Sequence, residues 1–418
     1  MERRLITVFA YICACVAIMM LSRSVHLNPF PTLRWSSIEN QDDVTDSEDI
    51  PDGRNDSRTT LVPAVSVTKE TEKDHVILIT NGTESIPFKV GIAHCPHLPE
   101  HVKCNFSYAS REVWNQSDAI IFRPFSISQH SDLWDYHRAG QKWVFEEHES
   151  PMKTWNTVRR ENFDALWDQF NITILYTKDS SIQHYMYNIS CVPRDEDGNL
   201  EVPNVDYLKG KEKSVLWIVG NCKWTMGREL YVDELMKYID VDIFGPCGDH
   251  VVCGKYGEFQ TTCVDNLLSK YKYFLSFENS FCEGYYTEKA IKTERVNTIP
   301  VVMGLVNYTE VLFPGTFIDV RDYKSPRLLA EYLKTVGNNS ELYNGYIKRK
   351  HHRACSMAPG ETSICKLCQH LYNNEGKTEI LPDMREYWGK EKRCMSPDRF
   401  FEGVADEIVP LLDKKYLF

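Results

Sequence analysis

The 418-residue chain has little positive charge, only one long apolar run, and no more than one cysteine pair, with no histidine pair to accompany it, at zinc-finger spacing. With one apolar run and a mean hydropathy of −0.40 it is not a polytopic membrane protein. Its 48 Lys and Arg against 59 Asp and Glu leave a formal charge of −11. The broad basic face with which non-specific nucleic-acid binders displace phosphate counterions is therefore missing, and no nucleic-acid partner is expected. Any phosphate is held locally. Cys365-Lys366-Leu367-Cys368 has no second Cys pair or His pair beside it, which argues against a zinc site. What the chain does have is 42% hydrophobic residues and 12% aromatic residues, enough for large cores, and a length that suggests two core-bearing units plus appendages.

The apolar run occupies residues 5–21, seventeen residues without a charge directly after Arg3 and Arg4. It is just long enough to span a bilayer. A cleaved signal peptide shares the charged start but usually has a shorter apolar stretch and a small-residue cleavage site, which the MMLSRS exit supplies poorly. The run is read as an uncleaved anchor, with residues 1–4 as a cytoplasmic tail and the remainder lumenal or extracellular. Eight Asn-x-Ser/Thr sequons, at Asn55, Asn81, Asn105, Asn115, Asn171, Asn188, Asn307 and Asn338, agree with that side of the membrane. So do the twelve cysteines beyond the anchor, which in such a compartment read as disulfides.

Residues 22–71 lose apolar periodicity and crowd Asp42, Asp43, Asp46, Glu48, Asp49, Asp52 and Asp56 around Pro51 and Gly53. They read as a solvated, disordered stem. Beyond it, short β-rich runs at 75–79, 119–122 and 142–145 alternate with helical signals such as 131–139. After a polar bridge at 193–213 the alternation resumes, with strands at 215–219, 241–245, 273–277 and 298–302 and an amphipathic helix at 228–238. Strands followed by helices of about ten residues imply parallel βαβ units and an α/β class in both halves. No internal repeat is present.

In parallel α/β sheets ligands bind beyond the carboxyl ends of the strands. The densest polar cluster stands there: after residues 273–277 come Glu278, Asn279 and Ser280, then Tyr285, then Thr287 as a helix N-cap, Glu288 at the positive end of the helix dipole and Lys289 within reach of an anion. As a string, residues 274–304 closely resemble the signature of the α1,3-fucosyltransferases: Phe-Glu-Asn-Ser, four residues, Tyr-x-Thr-Glu-Lys, an apolar helix and Pro-Val-Val-x-Gly. Residues 313–333 resemble the family's Phe-Ile-x-Val-x-Asp-Phe and Ser-Pro-x-x-Leu run, with Tyr323 in place of Phe. The likeness extends loosely from about residue 90 to the last cysteines.

This resemblance implies a type II Golgi membrane enzyme of the GT-B fold, two Rossmann-like domains facing across a cleft. The acceptor glycan or glycoprotein would bind at 72–205, GDP-fucose at 206–350, and 351–418 would be a disulfide-linked C-terminal segment. Transfer from GDP-β-L-fucose with inversion needs a base opposite the leaving diphosphate and cations to meet it. By similarity the base is Glu149 of Glu149-Ser150-Pro151, with Glu146 and Glu147 as rivals, and the cations are Lys289 and Arg228. Asn221, Glu278, Asn279, Tyr285 and Glu288 complete the donor set. No tightly bound cofactor or metal is implied, although a divalent cation is allowed as a stimulant. Asp240-Val241-Asp242 is read as a solvated edge strand rather than a manganese site. Relatives tie a C-terminal Cys-x-x-Cys to cysteines early in the catalytic domain, which makes Cys95 and Cys104 candidates and leaves the connectivity open. Cys247, Cys253 and Cys263 form a separate cluster. Trp134, Trp143 and Trp155 are candidate sugar platforms. The acceptor hydroxyl is expected on GlcNAc of an N-glycan core or outer arm. The alternatives are a protein O-fucosyltransferase and a catalytically silent glycan-binding protein, with a homodimer also admitted.

Overall fold

Two parallel sheets organise the chain. The computed structural model describes residues 75–81, 90–108, 110–124, 138–157, 167–185, 189–193, 202–221, 226–248, 261–357 and 362–412. The expected anchor and stem, most of the expected helix at 131–139, Trp134, Cys222, Cys253 and the sequons at Asn55 and Asn188 lie outside them. Among the described residues no helix is long and apolar enough to cross a membrane.

The first sheet has seven strands: β1 (His75–Asn81), β2 (Gly91–Ala93), β3 (Val102–Ser107), β4 (Ala119–Phe122), β5 (Lys142–Glu146), β6 (Ile172–Leu175) and β7 (Ile182–Gln183). Their order is β2-β3-β1-β4-β5-β6-β7, parallel except where β2 meets β3. β4 and β6 are buried at every position, as the near-continuous apolar strings AIIF and ITIL require of strands covered on both faces. A strand pair, β8 (Ile189–Pro193) with a later β14 (Arg353–Met357), runs antiparallel and places Cys191 opposite Cys355 in register.

The second sheet holds β9 (Lys213–Ile218), β10 (Val241–Phe244), β11 (Tyr271–Phe277), β12 (Ile299–Met303) and β13 (Ile318–Asp319) in the order β10-β9-β11-β12-β13, all parallel. The βαβ reading of both halves is correct, and α/β is the fold class. β11 begins two residues earlier than the apolar run suggests, because Tyr271 pairs with Lys213 of β9. The helices that position the site are α1 (Pro151–Thr157), α2 (Arg228–Leu235) and the single turn α3 (Glu288–Ile291); α4 (Ser363–Asn373) and α5 (Pro397–Phe401) follow near the end.

Both sheets belong to one unit running from Glu70 to Phe418, and the last sixty residues touch both. α4 packs on β3, β7 and β1, where Cys365 bonds Cys95 and Cys368 bonds Cys104. Beyond it, Trp388 is fully buried, accepts the Trp155 indole N–H at 2.7 Å on its carbonyl and donates its own to Thr154. Phe400 of α5 stacks on Phe281 of the second half, with ring centroids 3.7 Å apart. A third disulfide, Cys282–Cys394, fastens this tail to the loop after β11; the sequence offered both cysteines without a pairing.

Candidate active site

The loop after β5 carries the three acids of Glu146-Glu147-His148-Glu149, and each has a different environment. Glu146 ends the strand and is fully buried. Its carboxylate faces the Arg123 guanidinium at 3.6 Å and the His148 imidazole at 3.3 Å and accepts the Ser363 hydroxyl at 3.3 Å. Burial alone would raise its pKa; the hydrogen bond and charge of His148, with Arg123 and His184, bring it below the usual value. Glu147 is also buried. One oxygen accepts the backbone N–H groups of His148 and Glu149 at 2.9 Å each, and the other the Thr154 hydroxyl at 3.1 Å. Desolvation raises its pKa. Glu147 thus holds the loop together and faces inward.

Glu149 alone points outward, with 39% of its side chain exposed. Ser150 and Pro151 explain the turn: Ser150 Oγ caps α1 by accepting the Lys153 N–H at 3.3 Å, and Pro151 stands at the first helical position. The next turn of α1 brings the Lys153 ammonium onto one Glu149 oxygen. The other oxygen accepts the Tyr285 hydroxyl at 2.9 Å, and Ser150 donates to Ser280 at 2.7 Å. Residues 136 and 130 positions apart in the chain thereby join the two halves.

On the far side, the loop after β11 is built around Glu278, which is fully buried. Its oxygens accept the Thr287 N–H and hydroxyl, both at 2.9 Å, and the Lys289 ammonium at 3.3 Å. Thr287 occupies the N-cap position, but its hydroxyl serves Glu278 and caps no helix N–H. Glu278, expected among the donor contacts, therefore spends its carboxylate inside the loop. Lys289 uses one further donor on Thr287 Oγ1 at 2.6 Å, so two of its three ammonium protons are engaged. Glu288 is paired with Lys292 at 3.1 Å and Lys289 at 3.8 Å. Desolvation would raise its pKa, but those cations, Lys289 foremost, hold it below normal. Asn279 accepts from the Ser280 hydroxyl at 3.2 Å.

Arg228 opens α2 from Gly227, whose φ of +84° makes the turn. Only 3% exposed, it donates to Glu229 at 2.9 Å and to the carbonyls of Phe277 and Asn221 at 3.2 Å each, with Trp217 below its guanidinium. Three of its five N–H groups are used. Since Phe277 precedes Glu278, Arg228 and Lys289 converge on the carboxyl end of β11, and Glu149 approaches that end through Tyr285.

Beside the meeting point lies a cleft of about 660 Å³ between the loop after β6 and the loop after β12. It is lined by Tyr176, the stacked rings of Tyr185 and Tyr286, Asn307 and the Arg393–Asp179 ion pair. Trp143 and Trp155, two of the expected sugar platforms, are instead 1% and 6% exposed in the core, because β5 and α1 turn them onto Phe122, Phe170 and Trp167. Asp242 carries the Tyr271 hydroxyl at 2.6 Å and the Lys213 ammonium at 3.3 Å. Among the described residues no group of three His, Cys, Asp or Glu side chains is placed to hold a metal. Sequence reasoning missed Lys153, Ser150–Ser280 and the Tyr285–Glu149 bond. Only Lys153 left a signal, its spacing of four from Glu149.

Two family models match the chain: "Fucosyltransferase, N-terminal" over residues 72–187 and "Glycosyltransferase family 10 (fucosyltransferase) C-term" over residues 208–388. The chain is 34% identical over 252 residues to Glycoprotein 3-alpha-L-fucosyltransferase A of Drosophila melanogaster, covering 58% of this chain and 48% of that protein. It is 32% identical over 293 residues to 4-galactosyl-N-acetylglucosaminide 3-alpha-L-fucosyltransferase 9 of Bos taurus, covering 66% and 73%. It thus spans about half the length of the fly relative and about three quarters of the bovine one. A crystal structure of an alpha1,3-fucosyltransferase aligns over 75% of this chain and 93% of that one, at 17% identity and a TM-score of 0.45.

Proposed function

Since the chain belongs to the fucosyltransferases of glycosyltransferase family 10, we propose that it moves L-fucose from GDP-β-L-fucose, with inversion, to the 3-hydroxyl of GlcNAc in a glycan. The observation that carries this reading is the meeting of Glu149 with Tyr285: the one outward-facing acid of its loop touches the loop that bears Lys289. Glu149 takes the proton of the acceptor hydroxyl, whose oxygen attacks fucose C1. The C1–O bond to the diphosphate breaks, and GDP leaves with the electron pair. The third ammonium proton of Lys289 and the two remaining N–H groups of Arg228 meet the charge that develops. Asn221, Asn279 and Glu288 border the donor, while Glu278 holds Thr287 and Lys289 in place.

In this reading the two sheets are the two Rossmann-like domains of a GT-B enzyme, with the acceptor at 72–205, the donor at 206–350, and 351–418 as the disulfide-linked tail. Residues 5–21 anchor the enzyme in the Golgi membrane with its catalytic part lumenal and N-glycosylated. The charge-free run, the sequons and the disulfides support that placement. No metal is needed, since the cations at the diphosphate are side chains; a divalent ion acts at most as a stimulant. The test is GDP release by the full chain in detergent, given GDP-fucose and a GlcNAc-terminated or lactosamine acceptor, with and without EDTA. Turnover should persist under chelation and fall by about 10²–10⁴-fold in Glu149→Gln. Release that is absent without manganese, or unchanged in Glu149→Gln, defeats the proposal.

A further inference from the structure

Glu149 has both carboxylate oxygens engaged, and its two donors differ in kind. Lys153 reaches one oxygen from the next turn of α1, with 39% of its side chain exposed, so its hold is loose and screened. Tyr285 reaches the other from the opposite sheet and is 2% exposed. The Tyr285 ring lies against Tyr176 at 5.5 Å. Its loop is pinned on every side: Gly284 N–H donates to the Leu305 carbonyl at 3.0 Å, Glu283 N–H to the Arg393 carbonyl at 2.8 Å, and Cys282 is bonded to Cys394. The hydroxyl therefore has a fixed place, and Ser150–Ser280 docks the Glu149 loop against it. Desolvation keeps the phenol protonated far beyond neutral pH, so Tyr285 acts toward Glu149 only as a donor. A hydrogen bond given to a carboxylate favours its charged form.

We propose that Tyr285 is a positioning residue for the base: its hydroxyl fixes the Glu149 carboxylate in place against the loop after β11, so that the donor-side loop sets the base of the acceptor side. This rests on the reading of Glu149 as base. It departs from the role that the family resemblance implies for Tyr285, a contact to the donor. The other titratable groups facing Glu149 are Lys153 on its own helix, Glu147 two residues back and Tyr176 on the loop after β6. All three are unchanged in the variant that tests the proposal.

That variant is Tyr285→Phe in the full chain, which keeps the buried ring and removes one oxygen. Profiles of kcat/KM for the acceptor against pH should show the acid limb displaced upward by about one unit. The loss in kcat should be about tenfold at pH values on that limb and should shrink as pH rises, with the KM for GDP-fucose within about twofold of wild type. A raised KM for GDP-fucose with the acid limb unmoved makes Tyr285 a donor contact and overturns the proposal. 3-Fluorotyrosine at position 285, a stronger donor in a ring of nearly the same shape, should displace the limb downward; no displacement also overturns it, independently of how Tyr285→Phe folds. Glu149→Gln, run alongside, separates the two layers: normal turnover there removes the base assignment itself, whereas a dead Glu149→Gln beside an unmoved limb in Tyr285→Phe removes only the role given to Tyr285.

Discussion

Three glutamates within four residues differ because a strand end turns each one to a different neighbour. Glu147 has its carboxylate consumed by two backbone N–H groups and a hydroxyl, so it is a structural residue beside the chemistry. Glu147→Ala leaves buried donors unpaired and should cost about 1–3 kcal/mol of stability, read as a lowered denaturant midpoint. GDP affinity of the folded fraction should stay normal. The half-buried Glu149, substituted in the same way, should lose turnover at nearly full stability. Lys289→Ala has a third signature. It removes a charge that meets the diphosphate in ground and transition states alike, so calorimetric GDP affinity and turnover should fall together. If Lys289→Ala binds GDP normally, the ammonium belongs to the Glu278 loop and not to the nucleotide.

Helix α2 depends on a glycine for its start. A Cβ at Gly227 would come within 2.5 Å of the Phe401 ring and 2.6 Å of Leu412, at a φ of +84°. Gly227→Ala therefore combines left-handed strain of about 1–2 kcal/mol with overpacking of about 1–3 kcal/mol. It should lower the melting temperature and, by shifting the next residue, Arg228, weaken GDP binding. A stable variant with unchanged GDP affinity would show that α2 can be re-seated freely. At this scale the sequence was legible where strands are uniformly apolar: β4, β5, β9, β11 and β12 stand close to the residues their composition indicates. β3 was not, since VKCNFS alternates buried Val, Cys and Phe with half-buried Lys103 and Asn105. β8 and β14 are paired across 160 residues, and local pattern holds no information on that partnership. The candidate site divides in the same way. Each motif was visible as a string, but which oxygen of which acid faces outward is decided by tertiary bonds such as Glu147 to Thr154, and Glu278 read as a ligand residue because burial leaves no mark in a motif.

The molecule as a whole should be acid-sensitive through a half-buried imidazole behind the base loop. His184, facing His148, Lys366 and Glu146, is pushed down to about 4, first by desolvation and then by the charges of His148 and Lys366. The unfolded chain protonates this imidazole near its ordinary pKa of about 6.5. Between those values the unfolded state binds more protons, so stability falls as pH drops from about 6.5 to about 4. Glu146, with its lowered pKa, adds a loss in the same direction as pH falls through its folded value; Glu147, raised, opposes it just above the ordinary carboxylate range. Denaturant midpoints measured across pH 4–7 should therefore slope for the wild type and flatten in His184→Gln. Equal slopes would place the acid sensitivity elsewhere.

The two disulfides at α4 also bear on the order in which the protein is made. Cys104 stands in β3 and Cys95 in the loop before it, but their partners lie 264 and 270 residues later, after every strand of the second sheet. A ribosome finishes both sheets before it adds Cys365 and Cys368, so the first-made half spends nearly all of synthesis with two reduced thiols and with its β1–β3 face uncovered by α4. During that interval Cys191, Cys247, Cys263 and Cys282 emerge one after another, each a wrong partner within reach of a nascent chain. Native pairing is thus a late event, and maturation of the first-made half waits for α4, which is made after both sheets.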